Sequence, residues 1–142
     1  MKKIMNISFG NYLKEIRNRR SFICGIKLHK LNKKEIFFLK KYKPWGIILF
    51  SRNIKSIEQT QSLVKKIKKI FNDTNYPIII DEEGGDVSRL KNIIDNSSFS
   101  SKFFGELFKK DKSKFETYLN VYINQISYLL KILGININAV PV

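Results

Sequence analysis

Just past its midpoint, the chain carries an uninterrupted apolar run that ends abruptly in acid and glycine: Pro77-Ile78-Ile79-Ile80-Asp81-Glu82-Glu83-Gly84-Gly85. The run is β-branched and too short for a helix, so it predicts a buried strand. A strand with no polar face must be covered on both sides, and that is the condition of a parallel sheet packed by helices. Carboxylates at the C-terminal end of such a strand stand where parallel α/β folds place their ligands. The two glycines permit a tight turn and a close approach of the backbone to a ligand. One segment thus constrains both the architecture and the position of a binding site.

Three further strands are expected around it. They are Ser21 to Ile26, Trp45 to Phe50, and a last one opening at Gly134 and running through Ile135, Asn136, Ile137, Asn138 and Ala139 to Val140. Helical patterns lie between them. The first spans Lys33 to Tyr42, with Pro44 ending it and starting the second strand. The second begins at a Ser56–Gln59 capping box and carries a stripe of Leu63, Val64, Ile67, Ile70 and Phe71. Lys65, Lys66, Lys68 and Lys69 lie mostly off that stripe and read as a solvated face. After an irregular Asn- and Ser-rich stretch, Lys102 to Phe108 reads as one or two helical turns. Lys114 to Leu133 reads as a long helix with Phe115, Tyr118, Leu119, Tyr122, Ile126, Leu129 and Leu130 inward and Gly134 as its cap.

Alternation of this kind means right-handed parallel units. An open doubly wound sheet and a (β/α)8 TIM barrel both satisfy it. Neither a G-x-G-x-x-G after the first strand nor a Walker A stretch is present, which weakens the nucleotide-binding sheet. A barrel typically needs about 250 residues, so the 142 residues here supply about the first four β/α units. The chain ends directly after the fourth strand, with no helix to cover it. The expectation is therefore an N-terminal half-barrel belonging to something larger, or pairing with another chain.

Composition narrows the function classes. With 43% hydrophobic and 13% aromatic residues the chain can build a core. No stretch approaches the roughly 18 apolar residues of a membrane span, and the N-terminus lacks the apolar centre of a signal peptide. The single cysteine, Cys24, excludes an internal disulfide and, set between apolar neighbours, reads as an inert buried thiol in a reducing, cytoplasmic compartment. The net charge of +15 invites a nucleic-acid reading. Yet 22 of the 27 basic residues are lysines, scattered along the chain, and arginine, the usual base- and phosphate-reading residue, occurs only 5 times. Isoleucine (22) and asparagine (13) are as favoured as lysine, a pattern that A/T-rich codons alone produce. A selected nucleic-acid partner is thus the weaker reading.

Three ordered motifs at successive strand ends carry a family resemblance. Trp45-Gly46-Ile47-Ile48-Leu49-Phe50-Ser51-Arg52-Asn53 is similar to a G-x-I-L-F-x-R-N signature. Asp81 to Arg89 resembles D-Q-E-G-G-R-V-x-R. Gly134-Ile135-Asn136-Ile137-Asn138-Ala139-Val140-Pro141-Val142 resembles a segment that normally continues into Leu-Asp. The family they resemble is the bacterial β-N-acetylhexosaminidases of glycoside hydrolase family 3, whose catalytic domain is a (β/α)8 barrel. The resemblance implies removal of terminal β-linked N-acetylglucosamine from muropeptide-like saccharides, through a covalent glycosyl-enzyme intermediate and without a cofactor. It also implies that Asp81 hydrogen-bonds sugar hydroxyls and that Arg89 touches the sugar. The physical chemistry agrees: a carboxylate accepts two hydroxyls in charge-assisted bonds, and a guanidinium fork either donates to ring oxygens or holds that carboxylate in place.

Two departures stand out. The family's glutamine is Glu82 here, and its arginine after the glycines is Asp86, which reverses a charge beside the loop. Arg52 is expected to compensate by pairing with Asp81, Glu83 or Asp86. The family's nucleophilic aspartate, its histidine acid/base and its Lys-His sugar-binding pair have no counterpart in residues 1–142, so no catalytic residue is assigned. Asp81 and Glu83 share a strand face but enter a glycine turn, and no histidine or further carboxylate converges to make a metal site. His29, the sole histidine, reads as an exposed loop residue. Asn138 faces either the barrel mouth or a hydrogen-bonded core. Besides the glycosidase reading stands a non-catalytic half-barrel that binds sugar or is a remnant.

Overall fold

The computed structural model describes residues 18–140. The basic opening of the chain and the Pro141-Val142 end of the third motif lie outside them. Four strands are joined by helices, with one between each of the first three strands and two before the last: β1 (Arg20–Gly25), α1 (Lys33–Tyr42), β2 (Pro44–Leu49), α2 (Ile57–Phe71), β3 (Ile78–Ile80), α3 (Ser101–Lys110), α4 (Lys112–Leu133) and β4 (Ile137–Asn138). A single 3-10 turn, Ser51–Asn53, follows β2.

All pairings are parallel, and the sheet order is β1-β2-β3-β4. That order separates the two architectures left open by the strand–helix alternation. A doubly wound sheet reverses direction at a switch point, whereas a barrel adds each strand beside the last. Right-handed crossovers that always step the same way keep every helix on one face. The core reflects this. Ile47 and Leu49 of β2 and Ile78 and Ile80 of β3 point to the helices and join Leu39 of α1, Leu63, Val64 and Ile67 of α2, and Ile126, Leu130 and Leu133 of α4 in one cluster. The register sets Ile47 beside Ile78 and Leu49 beside Ile80. Each such side chain stabilises the fold by about 1.5–3 kcal/mol relative to exposure. The observed architecture is the four-unit parallel α/β arc expected of the first half of a (β/α)8 TIM barrel.

Helix boundaries follow their caps. At α1, the Asn32 side chain accepts the Glu35 amide, and the Glu35 carboxylate accepts the Asn32 amide, both at 2.9 Å: a complete capping box. Lys43 then turns left-handed before Pro44 enters β2. At α2, Ser56 accepts the Gln59 amide as expected. The reciprocal half of the box is replaced, because the Gln59 side chain accepts from the Lys55 amide and donates to the carbonyls of His29 and Asn53. Gln59 thereby ties the loops after β1 and β2 together.

Other details depart from the sequence expectation. Helix α3 runs three turns, started by Ser100 accepting the Phe103 amide. Tyr118 of α4 is 49% exposed, outside the inward stripe. Strand β4 is two residues long where seven were expected. The physical reason lies in its asparagines. Asn136 accepts the Ile78 amide through its side chain (2.8 Å) and donates to the carbonyls of Asn75 and Tyr76, while Asn138 engages the backbone of Glu82. Side-chain amides thus replace part of the backbone ladder along β3.

Candidate functional site

Because the strands are parallel, their C-terminal ends gather on one side of the sheet. Gly25 ends β1, Phe50 follows β2, Asp81 follows β3 and Asn138 ends β4. The segment after β3 then folds back. Gly84 and Gly85 both take positive φ, 77° and 60°, an antiparallel bridge joins Gly84 to Val87, and the turn returns the chain to Arg89 beside Asp81. A side chain at position 84 would strike the Phe99 carbonyl at 2.2 Å.

Asp81 and Arg89 form a two-pronged ion pair, Nε to Oδ1 at 2.7 Å and Nη2 to Oδ2 at 2.6 Å. Their side chains are 18% and 26% exposed, so the pair is sheltered yet open to solvent. The hydrogen bonds from Arg89 hold the Asp81 carboxyl below the usual carboxylate range, against the opposing effect of its partial burial. Of the two arginine roles considered, the one present here is that of holding the carboxylate.

Glu82 has a different part. It is 2% exposed, and its Oε2 accepts the amides of Arg89 (2.6 Å) and Leu90 (3.0 Å), while Asn96 donates to its Oε1 at 3.4 Å. Its own peptide is bracketed by Asn138, whose Oδ1 accepts the Glu82 amide (3.0 Å) and whose Nδ2 donates to the Glu82 carbonyl (3.2 Å). Asn138 is therefore a hydrogen-bonded residue fastening the loop to β4. Glu82, which looked like a mild charge addition, is the buried acceptor around which residues 82–96 close. The signal for this was slight, since a glutamate beside an exposed acidic run gives no hint of burial.

Arg52 does not compensate the acidic run. Its Nε donates to the Ile26 carbonyl at 3.1 Å, and its head lies over the Phe50 ring, 4.5 Å from the ring centre. Glu83 is half-buried, with its amide donating to the Val87 carbonyl, and Asp86 is exposed. Asn53, wholly buried, accepts the Phe50 amide and donates to the carbonyls of Ile26 and Leu28, locking the end of β2 to the loop after β1. A hollow of about 660 Å³ opens between α3, α4 and the acidic loop. Glu82, Glu83 and Asn138 line it; Asp81 and Arg89 do not.

His29 is half-buried rather than fully exposed, and its carbonyl is engaged by Gln59. Cys24 is half-buried in β1 and packs on the core, where desolvation pushes its thiol pKa up and suppresses the reactive thiolate. Among the described residues no three His, Cys, Asp or Glu side chains converge to hold a metal ion. No described helix is long and apolar enough to cross a membrane.

A parallel arc of sequentially ordered strands, with an arginine-clamped aspartate at the C-terminal ends, places the chain in the class of parallel α/β folds that gather a ligand site at the C-terminal ends of their strands. Comparison with known proteins narrows that class. No family model matches the chain. A curated β-hexosaminidase of Psychromonas ingrahamii is 36% identical over 72 residues, which is 51% of this chain and 21% of that relative. Native NagZ from Neisseria gonorrhoeae superposes with a TM-score of 0.75 at 28% identity over 87% of this chain and 36% of that one. The same protein in complex with N-trifluoroacetyl-D-glucosamine gives 0.71, again at 28% identity. In fold alone, a glycoside hydrolase family 3 β-N-acetylglucosaminidase from a Paenibacillus species matches as well, with a TM-score of 0.60 at 22% identity over 84% of this chain and 22% of that one. The resemblance to the N-terminal part of the family 3 β-N-acetylhexosaminidases thus holds in sequence and in structure. The chain spans about a fifth of the curated relative's length and just over a third of the NagZ chain.

Proposed function

We propose that this chain supplies part of the sugar-binding face of a glycoside hydrolase that releases terminal β-linked N-acetylglucosamine from muropeptide-like saccharides in the cytoplasm. The full catalytic domain in this reading is a closed eight-stranded barrel, of which these residues form the first half. The observation that carries it is the Asp81–Arg89 clamp at the C-terminal ends of parallel strands. The NagZ structure holding a trifluoroacetylated glucosamine lends the ligand class support.

The geometry suits binding and not bond cleavage. Asp81 is kept ionised by Arg89, so it accepts hydroxyl protons in hydrogen bonds through its remaining lone pairs. A general acid needs the opposite, a carboxyl whose pKa is raised toward neutrality. Glu82, the neighbouring carboxylate, spends its oxygens on backbone amides. A retaining glycosidase also needs a second catalytic group about 5 Å from the first. In this reading the nucleophile and the acid/base lie outside residues 1–142, and the isolated chain turns nothing over.

Calorimetric or NMR titration of the 142-residue chain with N-acetylglucosamine tests the binding. Saturable binding that disappears in Asp81→Ala is the expected result. A flat titration in the folded wild-type chain removes the sugar reading. Turnover of a chromogenic N-acetylglucosaminide that is lost in Asp81→Ala overturns the non-catalytic assignment instead.

A further inference from the structure

The guanidinium of Arg52 is fixed in place but not neutralised. Arg19 is paired with Asp73 and Arg89 with Asp81. No acidic side chain of the described residues reaches Arg52 within ion-pair distance. Its head is nevertheless held. The Nε bond to the Ile26 carbonyl fixes one edge, the Phe50 ring lies under its face, and a Cβ added at Gly25 would lie 3.2 Å from its Nη2. The backbone that carries it is pinned too, since the neighbouring Asn53 is buried and hydrogen-bonded on both sides of its amide. A stacked, anchored guanidinium has already lost much of its rotamer freedom, so a ligand oxyanion meeting it loses less entropy on binding.

Its neighbourhood gives that charge a use. The Phe50 ring also lies 5.7 Å from the Arg89 guanidinium carbon. One aromatic ring therefore lies against both the Arg52 and the Arg89 guanidinium. Among the described residues Nε is the part of the Arg52 head with a hydrogen-bond partner, which leaves the two terminal amino groups for a ligand. The residue itself is exposed.

We propose that Arg52 is an anion-recognition residue, binding a carboxylate or phosphate group on the ligand beside the sugar hydroxyls taken by Asp81. The planar fork matches either oxyanion in a two-pronged contact. The placement of a sugar beside it rests on the function proposed above; the oxyanion site itself does not. Asp81 then reads hydroxyls and Arg52 reads charge, so the site prefers acidic aminosugars to neutral ones.

The test uses the 142-residue chain with ¹⁵N-arginine, following the Nε–Hε signals of Arg52 and Arg89. The ligands are N-acetylglucosamine, its C6 carboxylate, its 6-phosphate, and acetate and inorganic phosphate alone. Wild type is expected to bind one or both acidic sugars about tenfold more tightly than the neutral one; the arm that gains names the oxyanion. Arg52→Gln abolishes the preference. Arg52→Lys, which keeps the charge and loses the fork, retains part of it. Lys33→Gln removes the same charge from an exposed helix and keeps the preference, separating a built site from the general attraction of a basic chain. An equal affinity for acidic and neutral sugars overturns the proposal, as does a preference that survives Arg52→Gln or falls equally in Lys33→Gln. Should simple anions shift the Arg52 signal while no sugar binds, the oxyanion site stands and the sugar reading falls.

Discussion

Glu82 and Arg89 meet through the backbone: Glu82 Oε2 accepts the Arg89 amide at 2.6 Å, while Asp81, the residue before Glu82, grips the guanidinium of the same arginine. Two consecutive acids thus hold one arginine at both ends, one fixing where its chain starts and the other where its head points. Glu82→Ala leaves the Arg89 and Leu90 amides without their acceptor in a buried place. A buried donor left unpaired costs about 1–3 kcal/mol, so a loss of at least about 2 kcal/mol is expected in urea unfolding. Hydrogen exchange at those two amides should accelerate more than at the core amides of β2. Glu82→Gln keeps one acceptor oxygen, and a loss of about 1 kcal/mol is expected. Unchanged protection at both amides in Glu82→Ala would remove this residue from the loop's framework.

The Asp81 clamp gives stability a defined dependence on pH. Arg89 holds the folded-state pKa of Asp81 below its unfolded value. The clamp's contribution is therefore fully present above the unfolded carboxylate pKa of about 4 and is lost as the pH falls through the lower folded value. The stability difference between wild type and Asp81→Asn should be constant from neutrality down to about pH 5 and shrink below about pH 4. Chemical denaturation at a series of pH values reads this directly. A difference that grows on acidification contradicts the sign of the shift.

Gly84 and Gly105 separate two meanings of glycine. At Gly84 the backbone has φ of 77°, and a Cβ would overlap the Phe99 carbonyl at 2.2 Å. Gly84→Ala therefore forces the acidic loop apart, with an expected loss above about 3 kcal/mol from strain and clash together. Gly105 lies inside α3, where an added Cβ meets nothing within 4 Å. Gly105→Ala should stabilise by about 0.5–1 kcal/mol by restricting the unfolded chain. Thermal melts of the two single variants must move in opposite directions.

Much of this fold was legible because its signals are local. Pro44, the capping residues Ser56 and Gly134, and the isoleucine run each act within a few residues, and the elements they bound lie close to where they were expected. The strand order was not legible, since alternation is common to barrels and doubly wound sheets and only pairing tells them apart. In the site, Asp81 and Arg89 were visible through their motif. The burial of Glu82 and the isolation of Arg52 were not, because both depend on which groups meet across the fold. Charge spacing along a chain does not specify ion pairs. Of the acids the motif offered to Arg52, Asp81 is held by Arg89, Glu83 is half-buried at the hollow and Asp86 is exposed.

The same limit applies to β4, where alternating Ile and Asn looked like a seven-residue strand and the backbone ladder covers two. The asparagines do the rest, and each has a separate consequence. Asn136→Ala strands the Ile78 amide at the start of β3. Asn138→Ala strands the Glu82 amide at its end and frees the acidic loop from the sheet. Each is expected to cost about 1–3 kcal/mol, the penalty of one unpaired, sheltered backbone donor. Only Asn138→Ala should also weaken N-acetylglucosamine binding, because Asp81 leans on the peptide that Asn138 brackets while Ile78 lies at the far end of the strand. Urea unfolding of both variants beside a sugar titration distinguishes the two. Equal losses of binding would mean that β4 supports the site as a whole strand, and that the Asn138 bracket has no special part in aiming Asp81.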